Sequence, residues 1–260
     1  MIVPPAYLQV RLANGPQDRC AAERLRYQVF VSELGGDGSL VDHKSGLERD
    51  RFDAFVDHLI LVDIRRDPKE MNHVVGVYRL LNQAGASQAG QFYSETEYDL
   101  SVLRQSNRPL LELGRSCIHP DYRGGMALFI LWNGLAKYIA ENRIEILFGV
   151  ASFHGIDPKI YRPHFAYLYQ KHLTPENLYV KVRSDNPLKM NTNTPVKFDI
   201  LAVMRTMPSL VKAYIRAGGY VGDGAFIDQQ FNTTDICLVM DTKRLSARHS
   251  ALYSIETTEP

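Results

Sequence analysis

Residues 111–125 read Leu111-Glu112-Leu113-Gly114-Arg115-Ser116-Cys117-Ile118-His119-Pro120-Asp121-Tyr122-Arg123-Gly124-Gly125, and the reading of this stretch decides the fold. Leu110 to Ile118 is short and apolar and runs into Pro120, which predicts a central strand. Beyond it, Leu128, Leu131, Leu135 and Tyr138 or Ile139 recur at three and four residues, which predicts an amphipathic helix over Met126 to Ala140. Arg123-Gly124-Gly125 joins the two. A strand that enters a helix through a basic, glycine-rich turn leaves backbone N–H groups to hold phosphate or pyrophosphate. Glu145 to Ser152 follows as a strand parallel to the first, with the helix as its crossover.

Upstream, Asp18 is placed to cap a helix with Ala22, Leu25 and Val29 as its apolar stripe, Arg26 and Phe30 on a neighbouring face, and Gly35-Gly36 at its end. A polar, mobile loop is expected from Gly36 to Asp50. His58 to Ile64 and Val74 to Leu81 read as a hairpin, Asn82 to Gly90 as a surface loop, and Leu100 to Arg104 as a short helix. Downstream, Pro158 and Pro163 interrupt the pattern of Ile156 to His172, so that segment is expected to be helical in part. Pro187, Pro195 and Asn191 to Thr194 indicate a loop. Thr206 and Pro208 open a helix that Gly218-Gly219 closes, and Ile236 to Met240 is a late strand.

The 260 residues are 45% hydrophobic, enough for a large core and too apolar for a disordered chain. The net charge of +1 gives no pull toward nucleic acid, yet residues 33–100 carry 7 Lys or Arg against 13 Asp or Glu, and residues 153–220 carry 10 against 4. The second segment offers a basic face for an acidic protein or an anionic lipid surface, or is an ordinary solvated face. Cys20, Cys117 and Cys237 show no disulfide or zinc spacing, and the N-terminus has no basic, apolar signal. A reducing cytoplasm fits, with any membrane contact peripheral, because no apolar run approaches the roughly 18 to 20 residues that span a bilayer.

The order His119-Pro120-Asp121-Tyr122-Arg123-Gly124-Gly125 resembles the donor-binding turn of the GNAT acyltransferase superfamily. Arg26-Tyr27-Gln28-Val29-Phe30, Phe52 to Leu61, Val75 to Leu81 and Gly90 to Leu100 resemble one branch of it, the bacterial L-ornithine N-alpha-acyltransferases. The likeness runs from about residue 20 to residue 155. Acyl-homoserine lactone synthases are similar more distantly, in the Arg-x-x-x-Phe, Tyr-Arg-Leu and Glu-x-x-Arg elements. The resemblance implies a mixed α/β fold, a GNAT-like twisted sheet flanked by helices with a C-terminal elaboration. It is expected as a single domain over 1–260, with a core of about 18–155 and residues 156–260 completing the sheet. It further implies no permanently bound cofactor, a 3-hydroxyacyl phosphopantetheine on acyl carrier protein as co-substrate, L-ornithine as acceptor, lyso-ornithine lipid as product and a possible peripheral contact with the inner membrane. Met126 and Leu128 stand where the superfamily has a glycine and a small residue, which sets this turn apart from ordinary coenzyme A binding.

Glu112 is a carboxylate in an apolar strand, where burial raises a pKa toward the range of a useful base, and the family likeness singles out the same position. The alternative is a structural ion pair with an arginine. Arg115 is three residues on and would face away from Glu112 unless Gly114 forms a bulge. Arg79 suits capture of a substrate carboxylate or a partner among Asp53, Asp57 and Glu112. Asp53 and Asp57 suit the side-chain ammonium of ornithine, and Arg26 and Phe30 belong with the same substrate set. Arg123, Gly124 and Gly125 are expected to face the donor phosphate, and backbone N–H groups near Ile118 to hold the oxyanion. Cys117 reads as a core thiol rather than a nucleophile, and the histidines lack metal-ligand spacing. Phe92, Tyr93, Phe148, Phe153 and Phe165 suit an acyl channel or a plain aromatic core. The amine and the acyl chain are expected to meet where the two parallel strands splay. Acylation of glutamine or glycine, lactone synthesis on S-adenosylmethionine, and a catalytically silent carrier-protein-binding module remain as alternatives.

Overall fold

A computed structural model describes residues 4–183, 188–190 and 198–244. The elements run β1 (Leu8–Leu12), α1 (Gly15–Arg26), β2 (Asp57–Asp63), β3 (Val74–Asn82), α2 (Gln83–Ala89), β4 (Tyr98–Asp99), α3 (Ser101–Gln105), β5 (Leu110–Ile118) and α4 (Ala127–Glu141). Then come β6 (Ile146–His154), α5 (Arg162–His172), β7 (Lys181–Val182), α6 (Ile200–Thr206), α7 (Ser209–Arg216), β8 (Tyr220–Val221), β9 (Phe226–Asp228) and β10 (Thr233–Asp241). The fold is mixed α/β, a largely antiparallel sheet flanked by helices. The chain divides into two units, Met1–Gln91 with Leu113–Arg143 and Phe92–Glu112 with Ile144–Pro260, so that β5 passes from one to the other.

In the first unit β1 pairs antiparallel with β2 and β2 with β3, the predicted hairpin. Both faces of that hairpin are covered, which is why its strands read as continuous apolar runs instead of alternating. Ala21, Ala22, Leu25 and Val29 pack on Ile60, Val62, Val74, Val77 and Cys117. On the other face lies α4, where Trp132 Nε1 donates to Tyr78 Oη at 3.2 Å and Tyr138 Oη donates to Asp57 Oδ2 at 2.7 Å. Gly134 lets α4 approach β1: a Cβ there would stand 2.4 Å from Val10 Cγ2.

The second unit contains Leu110–Glu112 of β5, which pair in parallel with Ile146–Phe148, as the crossover reading requires. β6 continues to His154 against β10, antiparallel along its whole length, and β8 and β9 flank β10. β4 and β7 form a separate ribbon. Phe92 and Phe148 meet edge to face at 5.0 Å, and Phe153 packs on Phe165 at 5.1 Å and Tyr161 at 4.8 Å. No helix among the described residues is long and apolar enough to cross a membrane.

Several local expectations are corrected. α1 begins at Gly15 with Pro16 in its first turn, so Asp18 is not its cap; the Asp18 carboxylate reaches back to the Asn14 N–H at 2.7 Å and pairs with Arg11 and His73. After Arg26 the coil widens into a π-helix over Tyr27–Glu33, closed by Gly35 at φ +75°. The segment Gly36 to Asp50 contains the Asp42–Leu47 bridge, and Leu47 and Glu48 are buried. Asn82 to Gly90 is not a surface loop: Asn82 caps α2 through the Gly85 N–H, and Gly85 and Ala86 are buried. Pro163 opens α5 instead of breaking it, because a first-turn proline has no N–H to lose. Thr206 closes α6, its hydroxyl donating to the Ala202 carbonyl, and Pro208 precedes α7. Pro187, Pro195 and Asn191 to Thr194 lie outside the described residues.

Candidate active site

Arg26 is the last residue of α1 and is wholly buried, so its charge needs partners. Nη1 and Nη2 donate to the two carboxylate oxygens of Asp53 at 2.7 and 2.9 Å, and Nε lies 2.6 Å from Glu48 Oε2. Arg79, on the α1 face of β3, donates to Asp50 Oδ2 at 2.5 Å and stands 3.6 Å from Asp53 Oδ1. Arg115 donates to Glu48 Oε1 at 3.0 Å and to Asp50 Oδ2 at 3.2 Å. The contacts close a ring of alternating charge within the first unit: Arg26, Asp53, Arg79, Asp50, Arg115, Glu48 and back to Arg26.

Local structure builds the ring. The Asp50–Asp53 turn is fixed by the Asp50 N–H donating to Asp53 Oδ2 and the Phe52 N–H donating to Asp50 Oδ1, both at 2.8 Å. Arg115 has φ +48°, a left-handed conformation costly for a side chain of its size, and so departs from strand geometry directly after Gly114. A Cβ at Gly114 would lie 3.8 Å from Arg79 Nε, so the glycine also gives that guanidinium room. Burial raises the Asp53 carboxyl, but the Arg26 and Arg79 charges override it and hold it well below the usual carboxylate range. Asp50 is lowered in the same way, burial opposing and Arg79 and Arg115 prevailing. His58 Nε2 stands 3.8 Å from Asp53 Oδ1; burial, then the nearby Arg26 charge, pushes the imidazole down to about 4, so it is neutral.

Glu112 ends the paired segment of β5 and is 3% exposed. Its setting is not apolar. Oε2 accepts the Tyr93 N–H at 2.7 Å, and Oε1 accepts the Ser94 N–H at 2.6 Å together with the Ser94 hydroxyl. That turn is braced in its own right: Glu95 accepts the Phe92 N–H at 2.7 Å and Arg104 Nε at 2.7 Å. Three donors therefore fix the direction of the Glu112 carboxylate.

Arg123 pairs with both carboxylate oxygens of Glu33, at 2.5 and 2.7 Å, and its Nε donates to the Ile118 carbonyl at 3.0 Å. Gly124 has φ +74°, and the N-terminus of α4 has no side-chain cap, as an anion-holding turn requires. Among the N–H groups near Ile118, that of His119 is taken by the Val75 carbonyl at 2.9 Å.

Of the sequence candidates, Arg26, Asp53, Arg79 and Arg115 come together. Asp57 does not join them: adjacent strand residues face opposite sides, and Asp57 bonds Tyr138 of α4 while His58 faces the ring. Phe30 packs against the α1 core, and burial pushes the Cys117 thiol up to about 12. Phe92, Phe148, Phe153 and Phe165 are all buried and pack as a core. Glu48, Asp50, His58 and Ser94 were not foreseen; the hints were the acidic surplus of residues 33–100, His58 within the Phe52 to Leu61 block and Ser94 within the Gly90 to Leu100 block. Glu97, Asp228 and Asp235 bring carboxylate oxygens within 4.8 Å of one another, the one grouping of potential metal ligands among the described residues.

Residues 25–133 match the model of an acetyltransferase (GNAT) domain. An L-ornithine N(alpha)-acyltransferase of Rhodobacter capsulatus is 48% identical across 98% of this chain and 97% of its own length. One of Brucella abortus is 36% identical across 96% and 89%. Among solved structures, the acyl-homoserine lactone synthase LasI covers 96% of both chains with a TM-score of 0.51 at 16% identity, and FeeM, an N-acyl amino acid synthase from uncultured soil microbes, covers 94% of this chain and 97% of its own with a TM-score of 0.51 at 10% identity; both share the fold. With 48% and 36% identity to named enzymes over nearly the full length, and a GNAT match that covers the strand and turn described above and runs into the helix, the chain is an acyltransferase and belongs to the L-ornithine N(alpha)-acyltransferase family.

Proposed function

We propose that this enzyme moves a 3-hydroxyacyl group from acyl carrier protein to the α-amine of L-ornithine, releasing lyso-ornithine lipid. The names of its relatives supply the acceptor, and the closed charge ring is the observation in this chain that carries the reading. Ornithine with its α-amine deprotonated has one carboxylate and one ammonium and is neutral overall. Such a dipole can enter an alternating ring by exchange, its carboxylate taking a guanidinium and its ammonium a ring carboxylate. Glutamine or glycine in the same state brings an anion and no cation, leaving the ring out of balance.

Glu112 is the proposed general base. An α-ammonium has a pKa of about 7.7 to 8.0, and an oriented carboxylate, directly or through a water, takes its proton. The amine attacks the thioester carbonyl, a tetrahedral oxyanion forms against backbone donors near Ile118, and the pantetheine thiol leaves as the amide forms. No acyl-enzyme is required. Arg123 exchanges Glu33 for the donor phosphate, with Gly124, Gly125 and the start of α4 supplying N–H groups. Holding both substrates in line supplies much of the rate. The catalytic step takes place in the cytoplasm, and the amphiphilic product then passes to the inner membrane by peripheral contact.

Mass spectrometry of the enzyme incubated with 3-hydroxyacyl carrier protein and an equimolar set of amino acids tests this, with acyl-coenzyme A in a parallel tube. N-acyl-ornithine formed with carrier protein alone is the expected result. Another acylated amino acid removes the ring argument, and product from coenzyme A alone removes the donor assignment. Glu112→Gln should lower kcat about 10²- to 10⁴-fold with donor binding intact; unchanged turnover overturns the base assignment.

A further inference from the structure

The first unit contains a cleft of about 370 Å³ that none of the ring residues lines. Arg24, Gln28, Arg66 and His119 contribute part of its polar lining, Leu25 and Met71 part of its apolar lining, and no aspartate or glutamate is among its lining residues. Arg24 donates to the Glu70 carbonyl at 3.3 Å, and Arg66 to the Asn72 carbonyl at 3.1 Å. The Arg66 guanidinium also lies 5.2 Å from the centre of the Tyr122 ring. These partners orient the two cations without neutralising them, and neither arginine has a carboxylate partner among the described residues. Ring arginines and Arg123, by contrast, are each matched by a carboxylate.

His119 borders the same cleft, one ring nitrogen 3.4 Å from Gln28 Nε2 and Nδ1 3.7 Å from Asp121 Oδ2. Burial first, then the charge of Arg66, push the imidazole below its ordinary value, with Asp121 opposing and Arg123 adding to the shift. Two oriented guanidinium forks beside neutral donors suit a tetrahedral oxyanion. The volume is at the small end of ligand sites, which run from about 300 to 1,000 Å³.

We propose that this cleft is a phosphate site, in which Arg24 and Arg66 grip a phosphate ester while Leu25 and Met71 receive its small organic part. It is independent of the acylation reading, since neither arginine belongs to the proposed machinery. The ester is either a soluble metabolite or a phospholipid headgroup, and the test separates the two. The full chain is titrated with glycerol 3-phosphate while the His119 ring is followed by NMR, and is co-sedimented with phosphatidylglycerol vesicles in a phosphatidylcholine background.

Bound phosphate should raise the His119 pKa, because an anion favours the imidazolium. Arg24→Gln with Arg66→Gln should weaken binding roughly a hundredfold or more, because two charge-assisted hydrogen bonds are lost together. The Arg24→Lys and Arg66→Lys pair, which keeps the charge, should retain part of it. Saturable binding of the soluble ester alone assigns a metabolite, and sedimentation alone assigns a headgroup; either supports the site. Absence of both, or undiminished binding by the folded glutamine pair, overturns it.

Discussion

Replacing His58 by glutamine will flatten the acid limb of the enzyme's stability curve. The imidazole is 3% exposed, and burial with the neighbouring Arg26 charge lowers its folded pKa to about 4. The unfolded chain titrates near 6.5, so between these values the unfolded state binds the proton and the folded state does not. Stability from the neutral imidazole is therefore full above pH 6.5, falls as the pH drops and is wholly lost below about 4. That gap corresponds to about 3 kcal/mol in all, and to about 2 kcal/mol between pH 7 and pH 5. Urea unfolding at pH 5, 6 and 7, read by circular dichroism, gives the wild-type slope. His119, His164 and His172 are also lowered by burial and add in the same sense, so the difference from His58→Gln isolates this ring. The variant should lose about 2 kcal/mol less than wild type over that interval. Equal slopes would refute the account, since glutamine does not titrate.

Arg26→Met removes one member of the charge ring and leaves Glu48 and Asp53 short of a buried partner. It should cost about 3–5 kcal/mol, measured by thermal unfolding, and a loss under 1 kcal/mol would show that the ring relaxes freely. Gly134→Ala forces a methyl against the stiff Val10 side chain, and overpacking of about 1–3 kcal/mol outweighs the gain in helix propensity of about 1 kcal/mol. Val10→Ala in the same chain should restore much of the loss; failure to do so places the strain elsewhere. Glu33→Ala removes the competitor for Arg123. Because that pair is exposed, stability should move by under about 1 kcal/mol, while KM for carrier-bound donor falls at unchanged kcat. A rise in KM would mean that Glu33 holds Arg123 in its working position.

The fold was legible where short-range rules act alone. The run Leu110 to Ile118 became β5 at those boundaries, and parallel β6 follows from a strand, a helix and a strand in that order. Rules that depend on neighbours failed. Asn82 to Gly90 has a loop composition, yet its N-cap asparagine and two small buried residues, Gly85 and Ala86, let α2 pack where a larger helix would collide; a Cβ at Gly85 would stand 2.1 Å from the Phe55 carbonyl. The π-helical widening after Arg26 has no composition signature at all, because Tyr27 to Glu33 is equally compatible with an ordinary turn of α-helix.

The site was legible by residue type and not by partner. An arginine buried at the end of a helix must be compensated, but its partners Glu48 and Asp53 lie 22 and 27 residues away, and Arg115 meets Glu48 across 67. Asp53 was singled out, but nothing in a single sequence ranks Glu48 or Asp50 above the other acids of residues 33–100. The polar composition of 36–50 pointed to a solvated loop, whereas its last residues deliver two of the three ring carboxylates. A chain that buries Arg26, Arg79 and Glu48, and partly buries Arg115, Asp50 and Asp53, bears a desolvation cost for every one, and mutual pairing offsets that cost only while the ring stays closed. A dipolar substrate can open such a ring and leave the charges matched, which a purely structural ion pair network would gain nothing from allowing. That is the physical difference between a ring kept for stability and one kept for an amino acid. On the proposed function, the exchangeable member is the carboxylate with most access to solvent: Asp50, whose side chain is 18% exposed against 12% for Asp53 and 1% for Glu48, and which two arginines share.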